Sequence, residues 1–470
     1  MESLARAANR GSVSTGYDID NSLKLEDDNT ENLYRALNAS TSTTKFTVSM
    51  WFKRTELGAS QLLYHRGVAG NEGVFLRTST ETNDALQVDI GASGTNSRSY
   101  TNALLRDTSA WYHVVLAVDT TQSTATDRFK LYLNGTLITD FASRNNPAED
   151  FAMEVSSAKH RHGAYNDTDG YAGYCGYIAE CHYIDGSQEA QTEFGEFDGD
   201  SGIWKPKAYA GSYGTGGYYL DFSDSSALGN NSAGDGTDFT LNNIAAADQA
   251  TDTPTNNFQT FLSDGTIFNS GQDNMTFSEG GTKYSRGQTG WTTAYTNIAM
   301  TNGKWYMEFE NHGTGSNTFF GLTPVARATS SVAQNYYIGQ ASDGSIGYYM
   351  ANGQIYWQGS SSGGVSSSTG DIIGVAVDID NNKAYWHKNG TYMNSADPAA
   401  GSNGSTINDE PYFFACSTYN PSISGETNTG GYSSFAISSA ESDANGYGTF
   451  EYAPPSGFYA LCTKNLAEYG

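Results

Sequence analysis

The chain has 470 residues, a formal net charge of −26 at pH 7, 53 Gly and 32 Tyr. This length is too great for one small core and predicts about two to four domains, while the glycine and aromatic content favours short strands and tight turns over helix bundles. The negative charge disfavours nucleic-acid binding, because an acidic surface repels phosphate groups.

Residues 1–13 are predicted to form an arm or anchor without a core of its own. They lack the apolar core of a signal peptide, so we expect no secretion by the general route. No apolar stretch of the sequence approaches the ~20 residues of a membrane-spanning helix, and we therefore expect no membrane insertion.

Residues 14–222 carry a succession of strand patterns. In one of them Phe129, Leu131 and Leu133 alternate with more polar side chains, which is the two-residue period of a half-buried strand. Asn134-Gly135 follows and predicts a hairpin turn, because this pair tolerates positive φ angles.

Residues 223–264 are small and polar, and they predict an extended linker or a segment wrapped around its neighbours. Strand patterns resume over residues 265–470, where both faces of the strand near 372–379 are apolar and indicate a central position in a sheet. Because no crossover helices separate the strands, the sequence predicts an all-β protein of two antiparallel β-sandwiches.

The cysteines are predicted to stay unpaired. Cys175 and Cys181 share one predicted strand and lie about 20 Å apart at ~3.3 Å per residue, whereas a disulfide needs Cα atoms within about 7 Å. We expect all four cysteines, including Cys416 and Cys462, to be small buried hydrophobic residues.

The first set of strands contains the motifs FTVSMWFKR at 46–54, Trp111-Tyr112-His113, and LYLNG at 131–135. With these motifs, residues 14–222 resemble the laminin-G-like, concanavalin-type jelly rolls. The second set resembles SPRY domains over residues 265–460, through GKWYMEFE at 303–310, FFGLT at 319–323, GDIIGVAVDIDNNKAYWHKNG at 370–390 and PYFFACS at 411–417. Both families have concanavalin-like sandwiches, so the resemblance implies two jelly rolls.

Further segments occur in a fixed order along the chain, among them EFGEFDGDSGIWKP at 193–206, TDTPTNNF at 251–258 and APPSGFYALCTKNL at 453–466. In this order they resemble segments of virion proteins of marine tailed bacteriophages. The resemblance implies a virion structural protein that is made in the host cytoplasm, contacts other virion proteins and forms homo-oligomers. It implies a tail-fibre or baseplate-associated module that attaches to a host-surface glycan or receptor. The alternatives are a capsid decoration or head-fibre protein and a polysaccharide-degrading enzyme.

Clustered acids are the candidates for catalysis. Glu196, Asp198 and Asp200 would share one face of a strand, as the paired carboxylates of concanavalin-like glycoside hydrolases do. The glycines among them, and their position after the last predicted jelly-roll strand, favour a solvated loop instead. The sequence contains no phosphate-binding loop, dinucleotide fingerprint or nucleophile-elbow motif, so we predict no enzyme.

Two metal sites are considered. His160 and His162, with Asp167 and Asp169 nearby, have the spacing of ligands on a strand, but their charged and glycine neighbours favour an exposed loop without a metal. Calcium is the metal that the resemblance to laminin-G-like modules implies. Its candidate ligands are Asp27 and Asp28, for which a solvated acidic turn is the alternative. No cofactor is required by any motif.

Binding is the activity that the second set of strands favours. Residues 335–364 combine rigid aromatic rings with small polar residues, as many recognition surfaces do, and such rings can stack on sugar faces. Strand alternation should place about half of the rings in the core. The candidate ligand-binding residues are Tyr336, Tyr337, Tyr348, Tyr349, Tyr356 and Trp357.

Overall fold

A computed structural model describes residues 16–27, 30–37, 39–68, 72–78, 84–91, 98–153, 158–165, 172–233, 236–262, 275–287, 289–312, 317–328, 337–340, 343–420 and 424–470. The predicted arm at 1–13 lies outside them. The contacts divide the chain into a first unit, Ser14–Thr255, and a second unit that contains Asn256–Gly470. None of the helices among the described residues has the length and apolarity needed to cross a membrane.

The first unit has two sheets that face each other across a core. One sheet contains β1 (Ser22–Leu25), β3 (Lys45–Arg54), β8 (Trp111–Asp119), β9 (Phe129–Leu133), β10 (Thr136–Leu137), β13 (Gly176–Asp185), β16 (Tyr218–Leu220) and β18 (Gln249–Ala250). The other contains β2 (Asn32–Ala36), β4 (Leu62–Val68), β5 (Glu72–Thr78), β6 (Ala85–Gly91), β7 (Arg98–Leu104), β11 (Phe141–Ser143), β12 (Lys159–His162) and β17 (Thr240–Asn242). A small hairpin, β14 (Gly195–Phe197) with β15 (Trp204–Pro206), lies outside both.

Alternation along β8 shows how the first unit is layered. Val114, Leu116 and Val118 point into the core between the sheets. Val115 points the other way and packs with Ile184 and Phe194, so the outer face of this sheet is covered as well. Every residue of β8 is therefore buried.

The second unit has the same kind of architecture. One sheet contains β19 (Met275–Ser278), β20 (Lys283–Arg286), β22 (Lys304–Glu310), β27 (Ile372–Asp378), β28 (Lys383–Lys388), β29 (Thr391–Tyr392), β30 (Ser405–Thr406), β32 (Ser424–Asn428) and β33 (Tyr459–Ala460). The other runs in the order β21 (Thr292–Tyr295), β31 (Tyr412–Thr418), β23 (Thr318–Pro324), β24 (Ile346–Tyr349), β25 (Gln354–Trp357), β26 (Ser360–Ser362). Among the described residues, the α-helices are a single turn at Val325–Ala328 and a seven-residue helix at Thr463–Tyr469. The expected all-β fold of concanavalin-like sandwiches is confirmed.

A similar hairpin occurs in each unit. Asn134-Gly135 follows β9 with φ angles of 46° and 76°, and Asn389-Gly390 follows β28 with 46° and 78°. In both, the Asn side-chain oxygen accepts a backbone N–H, from His113 or from Ile372, at 2.8 Å. The predicted hairpin turn at Asn134-Gly135 is thus present, and local turn chemistry accounts for its repetition.

As far as the structure describes them, residues 223–255 belong to the first unit and are not a free linker, which corrects one of the two expectations for the segment 223–264. Thr240–Asn242 extends one sheet beside β2, and Gln249–Ala250 extends the other beside β1. Phe239 fills the core, and the Asp252 carboxylate bonds Lys53 Nζ at 2.7 Å and Trp111 Nε1 at 3.0 Å. The segment is polar because backbone pairing and two buried ion pairs, Lys53–Asp252 and Lys24–Asp248, hold it on the first unit.

A buried carboxylate positions the backbone near the C-terminus. Glu308 on β22 is fully buried and accepts hydrogen bonds from the backbone N–H of Glu451 and Tyr452, at 2.9 and 2.8 Å. It also accepts the Tyr306 hydroxyl at 2.9 Å and the Asn428 amide at 3.0 Å. These bonds fix a loop that lines a cleft described below.

All four cysteines are free and buried, as expected.

The Lys53–Asp252 pair gives a stability prediction. Asp252→Ala removes the carboxylate that pairs with a fully buried ammonium, and breaking such a pair costs about 3–5 kcal/mol. We expect a lower transition in thermal unfolding of the full chain and new protease cleavage between residues 240 and 255. Asp224→Ala changes an exposed acid of the same segment and should leave both measurements as in the wild type. Equal thermal unfolding and equal protease cleavage in the two variants would contradict the inference that the Lys53–Asp252 pair holds this segment on the first unit.

Glu308 gives a pH prediction. Burial raises the pKa of Glu308 from 4.5 to about 7, although its hydrogen bonds oppose the shift. Between these values the native state holds the proton and the unfolded state releases it, so this group's contribution to stability falls as pH rises toward 7. We expect Glu308→Gln to flatten the fall in Tm between about pH 5 and 7.5, while exposed Glu441→Gln keeps the wild-type slope. An unchanged slope in Glu308→Gln would refute the raised pKa.

Candidate functional site

The aromatic surface, defined as Trp291, Tyr337, Tyr349, Tyr356 and Tyr419, lies on the outer face of the sheet that contains β23. The rings surround buried Phe319, whose ring centroid is 4.4 Å from that of Tyr349, 5.2 Å from Tyr337 and 5.4 Å from Trp291 and Tyr356. Tyr419 joins through Trp291 at 5.4 Å. All five residues are partly exposed, so part of this packed group of rings faces solvent.

The six predicted binding residues divide between the two faces of the sheet. Tyr337, Tyr349 and Tyr356 belong to the aromatic surface. Tyr348 is fully buried in the inner core, where its hydroxyl donates to the Val365 carbonyl at 2.6 Å, and Trp357 packs against that core. Tyr336 lies outside the described residues.

Trp291 and Tyr419 were not among the predicted binding residues, because they come from other parts of the chain. Trp291 directly precedes β21 and Tyr419 directly follows β31, and these strands pair with each other. Only the strand order brings them beside Phe319. No local pattern in the sequence could have indicated this neighbourhood.

Polar side chains border the aromatic surface. The Tyr349 hydroxyl donates to Asn317 Oδ1, and Asn352 Nδ2 donates to the Tyr356 hydroxyl at 3.0 Å. Gln354 is exposed in the same strand as Tyr356. Rings with amide groups at their edge can stack on an apolar ligand face and bond its hydroxyl groups.

An acidic cleft of about 450 Å³ lies at the other sheet of this unit. Glu310, Glu426 and Glu451 contribute carboxylates to it, and Tyr452 and Asn389 contribute to its wall. Burial raises the pKa of Glu310, whereas that of Glu426 is lowered because hydrogen bonds from His312 and Lys283 outweigh its burial. The cleft therefore concentrates negative charge that neighbouring cations only partly compensate.

The acids proposed for catalysis build a turn instead. Asp198 Oδ1 accepts the backbone N–H of Asp200 and Ser201 at 3.2 and 2.9 Å, which lowers the pKa of Asp198 to about 2. Lys205 Nζ lies 3.3 Å from carboxylate oxygens of both Glu196 and Asp198. Glu196 and Asp200 are exposed and Asp198 is partly exposed, and all three lie on the β14–β15 hairpin rather than across a cleft.

A serine–histidine contact in the first unit does not have the polarity of a nucleophile and base. Trp204 Nε1 donates to His113 Nδ1 at 3.0 Å, so the neutral ring carries its proton on Nε2. That Nε2–H faces Ser49 Oγ at 2.9 Å and donates to it. Burial lowers the pKa of His113 to about 3, and the ring stays neutral. Ser49 is therefore not activated by this histidine.

The prediction that His160 and His162 lie in an exposed loop is wrong. Both lie in β12, which pairs with β2 and β4, and both are buried. His160 Nδ1 bonds the Tyr64 hydroxyl at 2.9 Å, and His162 Nε2 bonds the Tyr218 hydroxyl at 2.9 Å. Burial lowers the pKa of His162 to about 4. The histidines are hydrogen-bonded core residues, and Asp167 and Asp169 lie outside the described residues.

The candidate calcium ligands are only partly described. Asp27 Oδ1 and Glu26 Oε1 each lie 3.1 Å from Cys175 Sγ, and Asp28 lies outside the described residues. A thiol is not a ligand for calcium, which prefers oxygen donors. The calcium site at Asp27 and Asp28 stays a prediction.

Comparison with known proteins gives one family match. Residues 27–186 match the Laminin_G_3 model, described as the concanavalin A-like lectin/glucanases superfamily. No curated protein matches the chain.

Similar solved structures include a human SPRY domain, a pentraxin and a Bacteroides ovatus protein. The SPRY domain of human HERC1 is 15% identical and covers 33% of this chain and 91% of its own, with a TM-score of 0.27. The SAP-like pentraxin of Limulus polyphemus is 13% identical over 37% of this chain and 80% of its own, with a TM-score of 0.28. A Bacteroides ovatus protein to which carbohydrate binding is assigned by inference is 18% identical over 48% and 59%, with a TM-score of 0.31. Over residues 27–186 the chain is similar to the concanavalin A-like lectin/glucanases superfamily.

Proposed function

We propose that this chain is a non-enzymatic binding protein whose second unit holds a glycan on the aromatic surface. The observation that carries the proposal is the gathering of five partly exposed rings around Phe319, with ring centroids 4.4–5.6 Å apart between packed neighbours. Such rings are held rigidly by their neighbours, so little conformational entropy is lost when a ligand stacks on them.

The chemistry of the surface suits a sugar. One face of a pyranose ring carries C–H groups that pack on an aromatic face, while its hydroxyl groups take hydrogen bonds at the edge. Asn352 and Gln354 offer amide groups at that edge, beside Tyr356. The lectin-like match of the first unit is consistent with a binding role. The same family description names glucanases, but Glu196 and Asp198 bond a shared lysine instead of facing each other across a cleft.

We further propose that the protein is part of a bacteriophage particle. The support is the similarity of its ordered motifs to virion proteins of marine tailed phages, together with two sandwiches of a kind used in recognition. In this proposal it is made in the host cytoplasm, contacts other virion proteins and itself as a homo-oligomer, and serves as a tail-fibre or baseplate-associated module. A capsid decoration or head-fibre role is the second candidate, in which neighbouring subunits would cover the aromatic surface.

The glycan proposal predicts the effect of removing single rings. Trp291→Ala and Tyr356→Ala should each weaken binding on an array of bacterial and algal glycans by about 5- to 30-fold, since an aromatic contact contributes about 1–2 kcal/mol. Phe197→Ala removes a ring that is 52% exposed in the first unit and should bind as the wild type does. Unchanged affinity in both ring variants, or glycan hydrolysis by the wild type, would contradict the proposal.

The virion proposal predicts where the protein is found and what it blocks. Antibodies raised against the full chain should label intact phage particles in electron microscopy, and soluble protein should bind host cells and slow phage adsorption. Trp291→Ala protein should compete less well than Phe197→Ala protein. Labelled particles whose adsorption is unaffected by the soluble protein would favour the decoration role, and unlabelled particles would exclude both.

A further inference from the structure

Three potential metal ligands meet at the edge of the acidic cleft. Glu310 is the last residue of β22, His312 follows two residues later, and Glu426 lies on the neighbouring strand β32. The register pairs Glu310 directly with Glu426, so the two carboxylates come from adjacent strands at one level of the sheet. The imidazole reaches this level from the chain that leaves β22.

The distances among the three donors suit a bound ion. His312 Nε2 lies 3.3 Å from Glu426 Oε2 and 3.7 Å from Glu310 Oε2, and all three donor atoms are within 4.8 Å of one another. Ligands that hold zinc tetrahedrally at about 2.0–2.2 Å are about 3.3–3.6 Å apart. Both separations are also within ion-pair distance, so the imidazole already holds the two carboxylates on one side of the sheet edge.

We propose that Glu310, His312 and Glu426 bind a divalent transition-metal ion of the zinc class. One imidazole and two carboxylates form a donor set that such ions accept, whereas magnesium and calcium prefer oxygen ligands alone. Three protein ligands leave a fourth position open, and the cleft of about 450 Å³ next to Glu310 and Glu426 has room for water or another ligand there.

Lys283 acts as a positioning residue in this arrangement. Its Nζ lies 2.8 Å from Glu426 Oε1, the oxygen that does not face His312. Lys283 and Glu426 are also register partners on β20 and β32. The lysine therefore fixes the carboxylate with Oε2 directed toward the other two donors, as outer-shell partners of metal ligands do.

A second cluster in the chain lacks these features and serves as the comparison. Glu26, Asp27 and Cys175 also lie within 4.8 Å of one another. However, Glu26 and Cys175 are buried, and burial together with the nearby carboxylates raises the pKa of the thiol, which disfavours the thiolate that zinc needs.

The test is zinc binding to the purified full chain, measured by isothermal titration calorimetry and by thermal unfolding. We expect one strong site for Zn²⁺ and a rise in Tm of about 3 °C or more at ten times the Kd, with no comparable effect of Mg²⁺ or Ca²⁺. His312→Ala and the isosteric Glu426→Gln should each weaken zinc binding at least about tenfold, and Lys283→Met should weaken it less.

Two control variants separate this site from adventitious binding on an acidic surface. Cys175→Ser tests the second cluster, and Glu468→Gln changes an exposed acid, so both should bind zinc as the wild type does. The proposal would be overturned if the wild type does not bind zinc or if His312→Ala binds it as tightly as the wild type. Loss of zinc binding only in Cys175→Ser would overturn it as well. If zinc is without effect while His312→Ala lowers Tm, the cluster is an ion pair only.

Discussion

Both units depend on one constraint, which is that a strand sends its side chains to opposite faces of a sheet, so that each apolar sheet has two faces to cover. In the first unit, the core covers one face of β8, and Phe194 with its neighbours covers the other. In the second unit, the inner core takes Tyr348, and the outer face of the same sheet carries Phe319 beneath the aromatic surface. Partly exposed rings lie over this outer face in both units: Tyr132, Tyr209 and Tyr213 pack on Phe194 and its neighbours in the first, and the aromatic surface covers Phe319 in the second.

Buried charges hold the polar parts of the first unit in register. Lys53 pairs with Asp252, Lys24 with Glu31 and Asp248, and each pair joins a core strand to a segment with few apolar side chains. Such pairs add little net stability compared with apolar contacts, but a shifted register would leave a charge buried without its carboxylate. We therefore regard them as determinants of where the polar segment docks.

Much of the fold could be predicted from the sequence, because the two-residue period of strands and the Asn-Gly turns are local signals. The docking of the polar segment after residue 222 could not be predicted, because Phe239 and Asp252 contact residues that are far away in the sequence. The charged neighbours of His160 suggested exposure, but Arg161 is itself buried and lies 3.2 Å from His65. A buried arginine with polar partners has no local signature.

Only part of the candidate site could be predicted, because strand alternation is a local signal and strand order is not. Strand alternation correctly implied that some of the tyrosines in 335–364 point into the core. Which ones do so depends on which face of the sheet each position of β24 and β25 occupies. Trp291 and Tyr419 came from strands outside that window, and the pairing of Glu310 with Glu426 spans more than a hundred residues. Sites built across strands are therefore visible only once strand order is known.

The four buried thiols have a consequence for where the protein can fold and persist. Burial raises the pKa of Cys181 and Cys416, and it raises the pKa of Cys462 to about 12, so almost no thiolate exists at neutral pH. Thiolates, not thiols, exchange with disulfides and react with oxidants. The fold therefore forms without an oxidant. Its buried thiols would also resist oxidation if the protein passed from a reducing to an oxidising medium.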